Sequence, residues 1–165
     1  MANTVASEAR ESVAHEPLPA RFHHISIPVK DMKQSIRFFT GVLGAEFLWE
    51  AEKFSEVKFA DIVLGLSPQK GGWTASDAEF PHYAFVVEAE DIWPLKERLE
   101  ANGVPTHAIW TRNGHTGLMY FRDPSGNLFE LYCANVKEED EARMARRDED
   151  GFAPPIHQLS CEWNG

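Results

Sequence analysis

Two imidazoles and one carboxylate, His24, His82 and Glu130, each lie inside an alternating apolar run. That donor set can grip a divalent ion from one side and leave its other side open for chemistry. In His24-Ile25-Ser26-Ile27-Pro28-Val29 the apolar residues fall on the face opposite His24. In Leu128-Phe129-Glu130-Leu131-Tyr132-Cys133 the neighbours Phe129 and Leu131 point away from Glu130. All three candidate ligands can therefore line one cleft.

The elements that must carry them come in two similar halves. A strand over 22–29 runs into Asp31, a suitable helix N-cap, and Met32, Ile36, Phe39 and Leu43 recur at helical spacing until Gly44. Strands follow over 45–50 and 56–66. From Pro81 the order repeats: a strand over 82–87, Asp91 as a cap, a helix bearing Ile92, Leu95 and Leu99, and Asn102-Gly103 to close it. Further strands are expected over 106–111, 118–122 and 128–133. The last two are joined by Asp123-Pro124-Ser125-Gly126-Asn127, strong turn chemistry. Each half reads as βαβββ, an α+β fold of two paired modules, at about 21–75 and 80–135. Residues 1–20 read as a flexible arm, and 136–165 as a charged helix over 137–147 followed by an irregular tail.

The 165 residues suffice for a core that needs no cross-links. A net charge of -10 with no basic stripe argues against nucleic acid or anionic lipid as partners. No stretch is apolar enough to span a membrane, and the opening lacks the apolar middle of a secretory signal, so a cytoplasmic protein is the expectation. Cys133 and Cys161 make no disulfide framework, and Cys133 alternates onto the face away from Glu130, as a buried structural thiol does.

Three segments resemble the motifs of the vicinal oxygen chelate superfamily, which includes glyoxalases, bleomycin-resistance proteins, fosfomycin-resistance enzymes and extradiol dioxygenases. They are Phe22-His23-His24-Ile25-Ser26-Ile27-Pro28-Val29-Lys30-Asp31-Met32 with Phe38-Phe39 and Val42-Leu43-Gly44, then Pro81-His82-Tyr83-Ala84-Phe85, then the run from Tyr120 through Asp123-Pro124-Ser125-Gly126-Asn127 to Tyr132. The resemblance implies curved sheets around a metal held by His24, His82 and Glu130. It also implies a homodimer in which His24 can serve the partner's other two ligands.

The reaction is harder to read. Tyr120 shares strand parity with Glu130, ten residues on, and resembles the tyrosine that steadies a substrate oxygen in extradiol dioxygenases, though fosfomycin-resistance enzymes also carry one. His115 is a candidate proton carrier and Arg112 a candidate partner for an anionic substrate, with a solvent-facing turn as the plain alternative. Trp110, Trp73 and Phe54 offer an aromatic wall for a flat substrate, or ordinary packing. The lysine and serines of thiol-transferring fosfomycin enzymes have no counterpart before Tyr120. The favoured expectation is thus a non-haem Fe(II) ring-cleaving dioxygenase acting on a small aromatic or vicinal diol. The alternatives are a redox-neutral lyase, isomerase or epoxide-opening enzyme using Mn, Ni, Zn or Mg, and a drug-binding resistance protein.

Overall fold

In the computed structural model the described residues are 22–69, 81–111, 114–146 and 159–165. The expected arm, Trp73, Arg112 and the chain from 147 to 158 lie outside them. Two mixed sheets result. The first orders its strands β1 (His24–Val29), β4 (Ile62–Pro68), β3 (Phe54–Phe59) and β2 (Glu46–Ala51). The second runs β5 (Tyr83–Val86), β8 (Leu128–Cys133), β7 (Gly117–Arg122), β6 (Trp110–Thr111) and β9 (Ala145–Arg146). In each sheet the module's first strand pairs in parallel with its last, β1 with β4 and β5 with β8. That pairing requires a crossover, which helices α1 (Met32–Arg37) and α2 (Ile92–Ala101) supply. Paired βαβββ modules are thus present, and neither sheet closes into a barrel.

Local chemistry accounts for most boundaries. Asp31 Oδ1 accepts from Gln34 N at 2.7 Å, and beyond a turn of π-helix at Phe38–Val42 the chain reverses at Gly44, whose φ of +74° suits glycine. Asp91 occupies the corresponding position of α2, but its side chain makes no capping bond. The strand expected over 106–111 is interrupted. A single bridge joins Thr106 to Phe121 and the ladder resumes only at Trp110, because Lys96 Nζ from α2 takes Thr106 Oγ1 at 2.6 Å and the His107 carbonyl at 3.2 Å. The charged helix expected over 137–147 is shortened to α3, Glu138–Glu141. Met144 is drawn into the core, and Arg143 stacks 3.9 Å over Trp93.

One hydrophobic core serves both modules. Ile27, Val29, Leu64 and Leu66 line it from the first sheet and Phe85, Met119, Phe121, Phe129 and Leu131 from the second, with Phe39 packing 5.8 Å from Phe129 and Phe59 4.5 Å from Phe85. Cys133 belongs to this core as a free thiol. Among the described residues no helix is long and apolar enough to cross a membrane.

The turn between β7 and β8 latches the modules together. Asp123 Oδ1 accepts from Ser125 N at 2.9 Å and Asn127 N at 2.8 Å, and Oδ2 from Asn127 Nδ2 at 2.8 Å. Asn127 Nδ2 then reaches the Pro28 carbonyl at 2.9 Å, while Ser125 Oγ accepts from Lys30 N at 2.9 Å. Arg122 Nη1 closes the turn from behind on the Gly126 carbonyl at 2.8 Å.

Burial outweighs those donors and pushes the Asp123 carboxyl from 3.8 up to about 6, and its charge adds to the burial that raises Tyr83. A raised carboxyl means that the folded chain binds the proton more tightly than the unfolded one. Stability from this group is therefore greatest below the unfolded pKa and falls as pH rises through the folded one. We expect wild type to lose about 3 kcal/mol of stability relative to Asp123→Asn between pH 3.5 and pH 7. Urea unfolding at several pH values measures it, and a difference independent of pH would contradict this account.

Candidate metal centre

His82 stands just before β5 and Glu130 at the centre of β8, the strand to which β5 is paired. His82 Nε2 and Glu130 Oε2 approach to 2.9 Å, with their side chains 16% and 6% exposed. Two donors each about 2.1 Å from one ion and set at right angles are about 3 Å apart, so this pair fits adjacent ligand positions of a divalent metal. Tyr120 is the register partner of Glu130 on β7, and its ring meets His82 edge-on at 5.4 Å. Trp110 stacks on Tyr120 at 6.5 Å. The expected tyrosine, histidine, glutamate and one wall of the aromatic box therefore share one face of the second sheet.

His24 belongs to the other sheet. Its face also carries Ser26, Phe54 and Gly65, with Phe54 packed edge-on at 6.5 Å from His24. Gly65 makes this possible, since a Cβ there would meet the Phe54 ring at 2.5 Å and Ser26 Oγ at 2.9 Å. His24 is exposed, and its Nδ1 lies 2.7 Å from His23 Nδ1. Both site faces are turned away from the core that the modules share. Among the described residues, no three histidine, cysteine or acidic side chains of one chain gather closely enough to hold a metal. The expected ligands are thus brought to two half-sites, one with His24 and Phe54, the other with His82, Glu130, Tyr120 and Trp110.

His115 stands in the bend before β7. It is exposed, its Nδ1 lies 3.2 Å from Glu141 Oε1, and its carbonyl accepts from Val136 N at 2.8 Å. Five residues of chain, spanning at most roughly 17 Å, separate it from Tyr120. The structure thus places His115 in an exposed bend beside α3.

Two residues escaped the sequence reading. Trp49 packs at a tilt of 43° with its ring 5.6 Å from Phe54 while donating from Nε1 to Glu56 Oε2 at 2.7 Å, so it widens the aromatic wall beside His24. Its register partnership with Glu56 across β2 and β3 was open to a hairpin reading, but a bulge between Phe47 and Trp49 shifts the alternation. His107, fully buried, sets its ring edge-on to Tyr120 at 5.5 Å and donates from its backbone N to the Tyr120 carbonyl at 2.9 Å. The only signal for it was a histidine two residues into a segment read as a strand.

Comparison with known proteins adds what geometry leaves open. The family model described as the Glyoxalase/Bleomycin resistance protein/Dioxygenase superfamily matches residues 21–131. A glutathione transferase, FosA, from Serratia marcescens is 29% identical over 134 residues, covering 79% of this chain and 90% of that protein. A metallothiol transferase, FosB, from Bacillus licheniformis is 30% identical over 118 residues, covering 69% and 75%. Among solved structures, the fosfomycin resistance protein FosX from Listeria monocytogenes, complexed with Mn(II) and sulfate, superposes with a TM-score of 0.63 at 23% identity, over 76% of this chain and 98% of that one.

These findings overturn the ring-cleaving dioxygenase reading. The relatives are named as transferases, and group transfer consumes no O₂. The preference for Fe(II) loses its support with it. The physical reason is that two histidines, a glutamate and a tyrosine suit a redox-neutral reaction as well as an oxidative one, because the donor set accepts several divalent ions.

Proposed function

Because the chain belongs to the Glyoxalase/Bleomycin resistance protein/Dioxygenase superfamily, we propose that it is a redox-neutral, metal-dependent enzyme of the fosfomycin-resistance type. It opens the strained ring of a small epoxide that carries an oxyanion, working as a homodimer. His82 and Glu130 of one protomer and the partner subunit's His24 hold a divalent ion, with Mn(II) the first candidate. The observation that carries this reading is the 2.9 Å approach of His82 Nε2 to Glu130 Oε2 with Tyr120 alongside.

A divalent ion in that position supplies Lewis-acid polarisation of the substrate oxygens. The chain's own residues do the rest. Tyr120 is proposed to donate its hydroxyl hydrogen to the ring oxygen as the C–O bond breaks, while water or a thiol forms the new bond to the ring carbon and its proton replaces the one the tyrosine gave. Trp110 stacks on the tyrosine ring and His107 meets it edge-on, which holds the ring before substrate arrives. Phe54 and Trp49 supply the apolar side of the cleft from the His24 half. Arg112 is proposed as the partner of the oxyanion.

Two site faces with exposed apolar side chains favour the dimer. Trp49 is 43% exposed on the His24 face and Val86 75% exposed on the Glu130 face, as expected of surfaces that a second copy covers. The test is direct. Protein purified metal-free and reloaded with Mn(II) is incubated with fosfomycin, either in water or with glutathione or cysteine. Loss of the epoxide is followed by phosphorus NMR. Turnover of the glutathione–methylglyoxal adduct instead would move the assignment to the lyase branch, and inactivity on both would reject it.

A further inference from the structure

Around Trp110 and Tyr120 the site face of the second sheet is joined by a residue from the far end of the same chain. Leu159, 3% exposed, packs with Trp110, Leu118, Tyr120 and Leu128, with Tyr132 and Ala145 at the margin. Leu118, Tyr120, Leu128 and Tyr132 alternate along β7 and β8 with Met119, Phe121, Phe129 and Leu131, which face the main core. Leu159 therefore belongs to the face of Tyr120 and Glu130 and takes no part in the core shared by the modules.

The tail is fastened four residues further on. Trp163 sets its ring edge-on to Phe38 at 5.4 Å, donates from Nε1 to the Asn102 carbonyl at 2.9 Å, and accepts from Gln34 Nε2 at its own carbonyl at 2.9 Å. Phe38 and Gln34 belong to the α1 segment and Asn102 caps α2, so one indole ties down on both modules. Four residues of extended chain reach roughly 13 Å, which sets how far Leu159 can wander once Trp163 is seated.

We propose that Leu159 is a specificity-determining residue of the active site, held over Tyr120 and Trp110 by the Trp163 clamp. The stacked faces of Trp110 and Tyr120 would otherwise receive a flat or extended substituent. With an aliphatic branch occupying them, the pocket takes compact oxygen chelators and turns away those with a large planar group. This rests on the metal-dependent reading and narrows its substrate class to small chelating oxyanions.

Hydroxamates chelate through two neighbouring oxygens and come in graded sizes, which makes them suitable probes. Titration calorimetry on the full-length Mn(II)-loaded protein compares acetohydroxamate with 2-naphthohydroxamate. Wild type prefers the small probe. Leu159→Ala shifts the affinity ratio toward the large one by about tenfold or more, Trp163→Ala shifts it the same way, and the volume-conserving Leu159→Met keeps the wild-type ratio. A metal-free arm measures anilinonaphthalene sulfonate fluorescence, which rises in Leu159→Ala and Trp163→Ala as the apolar face is uncovered. Normal hydroxamate binding with an unchanged ratio overturns this proposal alone. No binding of either probe to Mn(II)-loaded wild type overturns the metal reading beneath it. Fluorescence equal in all variants removes Leu159 from the site face.

Discussion

Glu130→Ala is expected to abolish both the stabilisation of the protein by Mn(II) and its turnover, with kcat/KM falling by about a thousandfold or more. Glu130 is the single anionic member of the proposed ligand set, and its carboxylate oxygen is the atom facing His82 Nε2 at 2.9 Å. Without it, two neutral imidazoles must hold a doubly charged ion, and the ion's hold on substrate oxygens fails with them. Folding should suffer far less. Glu130 sits on the site face, while the packing of β8 on the core is carried by Phe129 and Leu131. Calorimetric melting separates the two effects. Wild type gains about 2.7 kcal/mol when Mn(II) is a hundredfold above its Kd, whereas Glu130→Ala gains nothing and melts near the metal-free wild type. A variant still raised by Mn(II) as much as wild type would remove Glu130 from the ligand set.

Much of this site is local information and so could be read along the chain. Strand parity places Tyr120 and Glu130 together and Cys133 apart, because side chains alternate with period two however the sheets are arranged. The Asp31 cap and the Asp123 turn satisfy their own backbone donors within four residues, and their chemistry needs no distant partner. What escaped depends on contacts far apart in sequence. The gap before β6 arises from a lysine on α2, and His107 matters only because a separate strand brings Tyr120 to it. Leu159 reaches the site from beyond the second module altogether. The reaction class was illegible for a different reason, since ligands that tolerate several ions also tolerate several chemistries.

His24 poses the sharper question, because it lies on a sheet face that does not meet Glu130 within one chain. If the cleft closes only when the partner subunit's His24 completes it, two dead proteins can make a live one. His24→Ala and Glu130→Ala are each expected to be inactive alone. Unfolded together in equal amounts and refolded, they form mixed dimers as half of the population. Each mixed dimer holds one site in which both lesions coincide and one in which all three ligands are intact, so about a quarter of wild-type activity returns. Sites completed within a single protomer predict no recovery at any mixing ratio, because every chain then carries its own lesion. The exposed Trp49 and Val86 sharpen the argument. Trp49→Arg places a charge on the His24 face without touching a ligand, and should weaken dimerisation and Mn(II) binding in parallel when both are followed against protein concentration. A Trp49→Arg protein that sediments as a monomer with full Mn(II) affinity would refute the shared site.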